Sequence, residues 1–281
     1  MSPVESEVDS GLAVITLTDG DGGNRLHLDA LEELHRHLSS RIAEKESRAL
    51  LLRSRGRRFC LGMDLGLIGS REEPGPERER TVRLYSDCLS VMALSPKPVV
   101  VLVEGEARGG GMGLIAAGDI VVASRDADFE LSEVLFGLIP ANVLPFLLIE
   151  RLSPRAAGRL ILTARRLSAG EARELGLVDE LFPPAELEKG VRGVVRRLFR
   201  ASPAAQAEAK RFLREILYRD REEACAAANR RLLELASRPD VIAAAEAFQS
   251  GGLPGWFDRF RPEKPLAGRN LSAQGKSEKT S

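Results

Sequence analysis

The sequence predicts an α/β protein, and three observations carry this prediction. Short apolar runs alternate with segments of helical periodicity as far as about residue 182. From Pro184 the pattern becomes helical and continues to about residue 248. The composition, 43% hydrophobic and 29% charged, provides enough apolar side chains for a core in a chain of 281 residues.

The elements follow one another in a regular order. Five short apolar or β-branched runs predict strands at residues 12–17, 49–53, 98–103, 120–123 and 177–181. Apolar residues at helical spacing predict helices at residues 31–42, 80–94 and 187–198. Ser168 and Glu171 have capping-box spacing and open a further short helix that ends at Gly176. Residues 69–79, rich in Pro, Gly and charge, are predicted to form a mobile loop.

These patterns divide the chain into a core and a helical segment. The core is predicted to span residues 11–195, and the C-terminal helical segment residues 196–258. Residues 1–10 and 261–281 are polar and are predicted to be disordered.

Charge and cysteine content exclude several classes of protein. Lys+Arg and Asp+Glu each number 41, so the chain lacks the net positive charge expected of a nucleic-acid protein. The most apolar runs, residues 98–103 and 114–124, are shorter than a membrane span. The three cysteines lie far apart, so no disulfide framework or metal site is predicted, and an odd count suits a reducing cytoplasm.

A glycine-rich segment is the first candidate for chemistry. Gly109, Gly110 and Gly111 are followed, after Met112, by Gly113. Consecutive glycines direct free N–H groups toward a ligand, and such a site holds a phosphate or a developing enolate oxygen. Close helix packing is an alternative explanation. A dinucleotide-binding fingerprint fits poorly, because residues 104–108 separate the glycines from the strand and include two glutamates.

Four segments together resemble the enoyl-CoA hydratase/isomerase (crotonase) superfamily. They are RFCLGMDL at 58–65, GGGMGLIAAGD at 109–119, FELSEVLFGLIP at 129–140 and SAGEARELGLVDEL at 168–181. They occur in the order and at the spacing of the family, and the resemblance covers about residues 10 to 250. It implies a crotonase-like ββα spiral core, with a C-terminal helical segment that forms trimers.

The resemblance also implies the site residues. The two backbone N–H groups of the family's oxyanion hole fall on Met63 and Gly110. One catalytic glutamate falls on Glu133, whereas the other falls on Gly113, which cannot transfer a proton. Asp64 is a candidate second catalytic group, although the family's aspartate at this position also holds the loop. Residues expected to bind the substrate, coenzyme A or phosphopantetheine are Arg25, Leu26, Cys60, Gly62, Gly109, Gly137 and Pro140.

One base leaves dehydration, isomerisation and decarboxylation open. Residues 132–147, SEVLFGLIPANVLPFL, are similar to crotonase-like enzymes of polyketide β-branching, which act on 3-hydroxy-3-methylglutaryl chains bound to carrier proteins. The decarboxylases among them are associated with a loop lysine and a C-terminal histidine, both missing here. The resemblance therefore implies a dehydratase. An enoyl-CoA isomerase, a decarboxylase and a degenerate crotonase acting as a binding module are the alternatives.

The expected partners are acyl thioesters. No resident cofactor and no metal are expected, because coenzyme A or phosphopantetheine arrives as the substrate's carrier. Cations near the tunnel mouth would hold the phosphates or an acidic carrier protein, and the candidates are Arg25, Arg53, Arg55, Arg57 and Arg58. A charge run of this kind is also common on a solvated face. The resemblance further implies a homotrimer or hexamer, and neither a nucleic acid nor a membrane is an expected partner.

Overall fold

Two β-sheets and their flanking helices make up the described part of the molecule. The computed structural model describes residues 2–20, 22–63, 76–217, 221–236 and 238–268. The strands are β1 Val4–Asp9, β2 Leu12–Leu17, β3 Ala49–Ser54, β4 Arg58–Cys60, β5 Val99–Val103, β6 Glu106–Arg108, β7 Ile120–Ser124, β8 Asp128–Glu130, β9 Leu167–Ser168 and β10 Glu180–Phe182.

Ten α-helices connect or follow these strands within the described ranges. They are α1 Leu28–Ala43, α2 Pro76–Leu94, α3 Gly110–Ala116, α4 Leu144–Glu150, α5 Pro154–Thr163, α6 Ala169–Glu174, α7 Leu187–Arg200, α8 Pro203–Ile216, α9 Arg221–Ala236 and α10 Pro239–Gln249. Single 3₁₀ turns occur at Glu133–Phe136 and Pro184–Glu186. None of these helices is both long and apolar enough to span a bilayer.

The chain spirals between a large and a small sheet. The large sheet has the order β1-β2-β3-β5-β7-β10 and is parallel except for the β1–β2 pair. The small sheet has the order β4-β6-β8-β9, with only β8–β9 antiparallel. Successive turns add one strand to the large sheet and then one to the small sheet, as in β3–β4, β5–β6 and β7–β8. The short connections bring the chain segments after β4 and β6 side by side.

The large sheet is buried on both faces, which explains its continuous apolar strands. In β5, Val99, Val101 and Val103 face one core, which the small sheet and helices α1 and α2 complete. Val100 and Leu102 face a second core, formed with α7. The alternation follows from the two-residue period of a strand. The predicted strands at 12–17, 49–53, 98–103 and 120–123 therefore lie where apolar residues are covered on both sides.

Three expectations about the termini and boundaries were wrong. Residues 4–9 form β1 instead of a disordered terminus, because they pair along their whole length with β2. Residues 261–268 are also held, since Arg53 donates to the carbonyls of Pro265 and Leu266. Residues 269–281 lie outside the described residues. The expected boundary at 195/196 falls inside α7, whose Phe199 is buried in the second core.

Two local expectations also needed correction. The strand expected at 177–181 is the shorter β10, Glu180–Phe182, because Leu177 and Val178 still bond back to the carbonyl of Ala172 at the end of α6. The loop expected at 69–79 is helical from Pro76, where a proline suits the first turn of α2. Residues 69–75 lie outside the described residues.

Candidate active site

Two glycine segments meet at the ends of β4 and β6. Gly62 and Gly109 both have positive φ, +82° and +48°, which favours glycine. A Cβ added to Gly62 would lie 2.8 Å from the Gly110 nitrogen, and one added to Gly111 would lie 2.4 Å from the Cys60 carbonyl oxygen. The two segments are therefore in backbone contact, and a side chain at either position would separate them.

The Met63 N–H points away from its neighbouring strand. Leu26 donates to the Gly62 carbonyl at 2.9 Å and forms a parallel bridge with Met63. In a parallel bridge, only one of the two paired residues uses its own N–H and C=O for the pairing, and here that residue is Leu26. Its partner, Met63, directs its own N–H and C=O away from Leu26. The Met63 N–H is thus left for another acceptor, and Met63 lines a cavity.

Gly110 provides a second N–H group at the same cavity. It is the first residue of α3, where N–H groups have no acceptor within the helix. Among the described residues, neither the Gly110 nor the Met63 N–H donates a hydrogen bond. Two adjacent N–H groups of this kind can bind an oxygen that gains negative charge.

Glu133 brings a carboxylate to this place. It begins the 3₁₀ turn Glu133–Phe136, and its Oε1 lies 3.3 Å from the position of a Cβ on Gly109. Its Oε2 is buried and has no hydrogen-bond partner within the described residues. Burial raises the pKa of Glu133 above the usual glutamate value, and the nearby charge of Glu130 adds to the increase. A carboxyl group with a raised pKa is suited to exchange protons near neutral pH.

Tyr85 occupies the space at Gly113. Its hydroxyl donates to the Gly110 carbonyl at 2.6 Å, and a Cβ added to Gly113 would lie only 2.0 Å from the same hydroxyl oxygen. Burial raises the pKa of Tyr85 well above its usual value, so the hydroxyl stays neutral and remains a donor. The position where the family has its other glutamate therefore has no room for a side chain.

A cavity of about 510 Å³ joins these groups. Its remaining walls are mostly apolar, with Val82 on one side and Phe136 and residues 138–143 on the other. Three arginines line it, namely Arg25, Arg78 and Arg108. Arg108 is neutralised by ion pairs with Asp128 and Glu130. Within the described residues, Glu133 is the one carboxylate that lines the cavity.

The structure brings most of the expected site residues together. Arg25, Gly62, Met63, Gly109, Gly110, Glu133 and Pro140 all line the cavity. Three expected substrate-binding residues do not. Leu26 and Cys60 are buried in the core, and burial raises the pKa of the Cys60 thiol to about 12. Gly137 ends the 3₁₀ turn in a left-handed conformation, so its role there is conformational. Asp64 lies outside the described residues.

Of the five arginines expected near the tunnel mouth, Arg25 lines the cavity, whereas Arg53, Arg55, Arg57 and Arg58 do not. Arg53 donates to Thr16 and to the C-terminal segment, and Arg55 pairs with Glu5. Tyr85 and Arg78 are among the cavity residues that were not expected from the sequence. Tyr85 has the helical spacing of a core residue, and Arg78 falls in the segment expected to be a loop. The sequence offered one indication of such a residue. Gly113 has no side chain, so another group must fill the space beside it, and Tyr85 does so.

Comparison with known proteins identifies the family. The enoyl-CoA hydratase/isomerase family model matches residues 7–258. The chain therefore belongs to the enoyl-CoA hydratase/isomerase family, within the crotonase superfamily, which confirms the expected fold class and identifies an enzyme of the hydratase/isomerase kind.

Individual relatives differ in the reactions their names describe. The bacillaene synthase dehydratase PksH of Bacillus subtilis is 34% identical over 155 residues, 55% of this chain and 59% of that protein. The 1,2-epoxyphenylacetyl-CoA isomerase of Escherichia coli is 32% identical over 209 residues, 70% of this chain and 76% of that protein. A crystal structure of an enoyl-CoA hydratase from Shewanella pealeana has a TM-score of 0.85 at 26% identity, covering 90% of this chain and 96% of that one.

Proposed function

We propose that this protein is a lyase that dehydrates a 3-hydroxyacyl thioester. The Met63 and Gly110 N–H groups hold the thioester oxygen. Glu133 removes a proton from the carbon next to the thioester, which moves negative charge onto that oxygen. The C=C bond then forms as the hydroxyl leaves, and Glu133 returns the proton to it, so that water is released.

The oxyanion hole supplies stabilisation where the charge develops. Each backbone N–H aimed at the enolate oxygen contributes on the order of 3 kcal/mol to the transition state. Gly110 lies at the start of α3, whose dipole also favours negative charge. Because the groups are backbone amides held by close contact between Gly62 and Gly110, they need no reorganisation during the reaction.

The observation that carries this proposal is the Tyr85 hydroxyl at Gly113. It leaves Glu133 as the single carboxylate of the cavity in the described part of the chain. Water addition in this family is usually managed by two glutamates, whereas one base suffices to take a proton and return it. The same groups catalyse a reaction in both directions, so the single carboxylate supports a one-base mechanism, and the proposed 3-hydroxyacyl substrate sets the direction to dehydration.

We further propose a carrier-bound 3-hydroxy-3-methylglutaryl chain as the substrate, in polyketide β-branching. Support comes from the similarity of residues 132–147 to such enzymes and from the match to PksH, which is named a dehydratase of bacillaene synthase. Arg25 lines the cavity and would provide a cation for the phosphate of phosphopantetheine. Coenzyme A or phosphopantetheine would thus be the carrier, with no resident cofactor.

The proposal includes assembly through the C-terminal helices. Leu213, Leu232 and Ile242 are large apolar residues exposed on α8, α9 and α10. Such side chains on successive helices mark a surface that a second copy of the chain would cover. A homotrimer or hexamer satisfies this requirement.

The test is an intact-mass assay of 3-hydroxy-3-methylglutaryl carrier protein. We expect the wild-type enzyme to remove one water, and Glu133→Gln to lower the rate by at least about 100-fold, since an amide cannot act as the base. Glu174→Gln, at an exposed position outside the cavity, serves as the matched control and should retain full activity.

An acyl-CoA isomerase is the second candidate function. The single carboxylate favours it, because one base can shuttle a proton between two carbons. Turnover of a 3-enoyl-CoA without dehydration of the carrier-bound substrate would establish this alternative. Loss of carbon dioxide from the unsaturated diacid would identify a decarboxylase, and no turnover of any thioester would indicate a binding module.

A further inference from the structure

The cavity carries more positive charge than its chemistry requires. Of the three arginines that line it, Arg108 is neutralised by its carboxylate neighbours. Arg25 and Arg78 form no ion pair with a carboxylate of the described residues. Two cations facing one carboxylate predict a ligand with negative charge at two places.

Arg78 lies on the same face of α2 as two other cavity residues. Arg78, Val82 and Tyr85 are spaced by four and three residues, so their side chains lie on one side of the helix. Tyr85 is buried against Gly110, Val82 is exposed, and Arg78 is half-buried at the N-terminal end of the row. The row leads from the oxyanion hole along the cavity wall.

The length of a short diacid is compatible with a contact between its far end and Arg78. It precedes Tyr85 by two helical turns, about 10 Å at a rise of 1.5 Å per residue. The first and fifth carbons of a glutaryl chain lie about 5 Å apart, given bonds of about 1.5 Å. With the thioester oxygen at Gly110, the flexible arginine side chain can span the remaining distance.

Arg25 belongs to the other end of the ligand. It adjoins Leu26, whose N–H bonds to the Gly62 carbonyl next to Met63. This location is beside the thioester group of the proposed complex, so the acyl chain would extend from there toward α2. The two cations are therefore separated along the ligand.

We propose that Arg78 binds the free carboxylate of a dicarboxylic acyl thioester and thereby determines substrate specificity. This inference rests on the proposed function only in placing an acyl thioester in this cavity. Guanidinium binds carboxylate in a planar, two-point geometry that ammonium cannot reproduce. Monocarboxylic acyl chains of the same length would offer Arg78 no carboxylate, and the described residues supply none in an ion pair with it.

Binding of unreactive ligands tests the inference without any chemistry. We expect the wild-type protein to bind glutaryl-CoA more tightly than pentanoyl-CoA, which has the same number of carbons and no carboxylate, in isothermal titration calorimetry. Arg78→Gln should weaken glutaryl-CoA binding by about 10- to 100-fold, the loss typical of a charged hydrogen bond, and leave pentanoyl-CoA binding unchanged. Arg78→Lys should recover part of the preference.

The matched control is Arg83→Gln, an exposed residue on the same helix that does not line the cavity. It should bind both ligands as the wild type does. Equal weakening of both ligands by Arg78→Gln, a wild-type protein without preference, or loss of the preference in Arg25→Gln instead, would each overturn the inference.

Failure of this inference and failure of the proposed function are distinguishable. A protein that prefers glutaryl-CoA through Arg78 but does not dehydrate the carrier-bound substrate keeps the carboxylate site and loses the dehydratase assignment. A protein that dehydrates the substrate and shows no Arg78-dependent preference keeps the activity and loses the carboxylate site.

Discussion

The two walls of the cavity are built on opposite principles. The glycine wall comprises the segments 62–63 and 109–113, of which residues 62, 63, 109 and 110 line the cavity, and the opposite wall comprises Glu133, Phe136 and residues 138–143. In the glycine wall, an added Cβ at Gly62, Gly111 or Gly113 would lie within 3 Å of another atom. Next to Phe136 of the opposite wall, a Cβ on Gly137 would meet no atom within 4 Å, and Phe136 itself is 59% exposed.

This difference separates the residues that would bind the thioester oxygen from the residue that would transfer the proton. The glycine wall presents backbone N–H groups, whose direction depends on close packing and tolerates no added atoms. The opposite wall presents the Glu133 side chain, which depends on its surroundings for its pKa. If the glycine wall is kept and the side chains around it vary, the backbone N–H groups can still bind a thioester oxygen while the reaction changes.

The largest effect is expected from Gly111→Ala, which breaks the glycine wall. Its Cβ would lie 2.4 Å from the Cys60 carbonyl oxygen, so the two segments must separate. We expect the free energy of unfolding to fall by about 3 kcal/mol in urea denaturation. Dehydration should slow by at least about 100-fold, because the oxyanion donors are displaced.

The control for this variant is Gly158→Ala. Gly158 lies within α5, and a Cβ there would contact nothing within 4 Å. Alanine in a helix is favoured over glycine by up to about 1 kcal/mol, so we expect unchanged or slightly higher stability and normal activity. If Gly111→Ala behaved like Gly158→Ala, the close contact between the two segments would be disproved.

A smaller effect is expected from the pair Tyr85 and Gly113, which a double-mutant cycle measures. Gly113→Ala alone should destabilise the protein by about 2 kcal/mol, since its Cβ would lie 2.0 Å from the Tyr85 hydroxyl. Tyr85→Phe alone loses one hydrogen bond to Gly110, about 1 kcal/mol. In the double variant the overlap is relieved, so we expect a favourable coupling of about 1 kcal/mol. Additive effects on the free energy of unfolding would show that a Cβ at position 113 and the Tyr85 hydroxyl do not compete for the same space.

The sequence was sufficient to predict the fold and most of the glycine wall. Motifs such as 58–65 and 109–119 are contiguous, and their glycines have a purely local conformational role at Gly62 and Gly109. Contacts between distant segments were not predictable. The contact between Tyr85 and Gly113 joins a helix and a turn that the sequence treats separately, and only the three-dimensional packing relates them.

Predictions of substrate-binding residues that rested on motif position alone were less accurate. Cys60 and Leu26 stand inside matched or adjoining segments, yet both side chains pack into the core behind the cavity. Strand β1 was missed because it pairs only with β2 at the edge of its sheet. Its polar residues alternate with few apolar ones, and polar composition alone indicated disorder.

The smallest effect concerns the opposite wall and the cost of keeping a buried carboxylate there. Burial raises the folded-state pKa of Glu133 above its unfolded value of about 4.3, so the folded protein binds this proton more tightly. Stability therefore falls as pH rises through the interval between the two values. We expect Glu133→Gln, which cannot ionise, to raise the melting temperature by more at about pH 7 than at about pH 4, in scanning calorimetry.

The same raised pKa requires wild-type activity to increase with pH through that interval, because only the ionised form accepts the proton. A melting-temperature difference that is constant with pH would mean that the carboxylate is solvated like any surface glutamate.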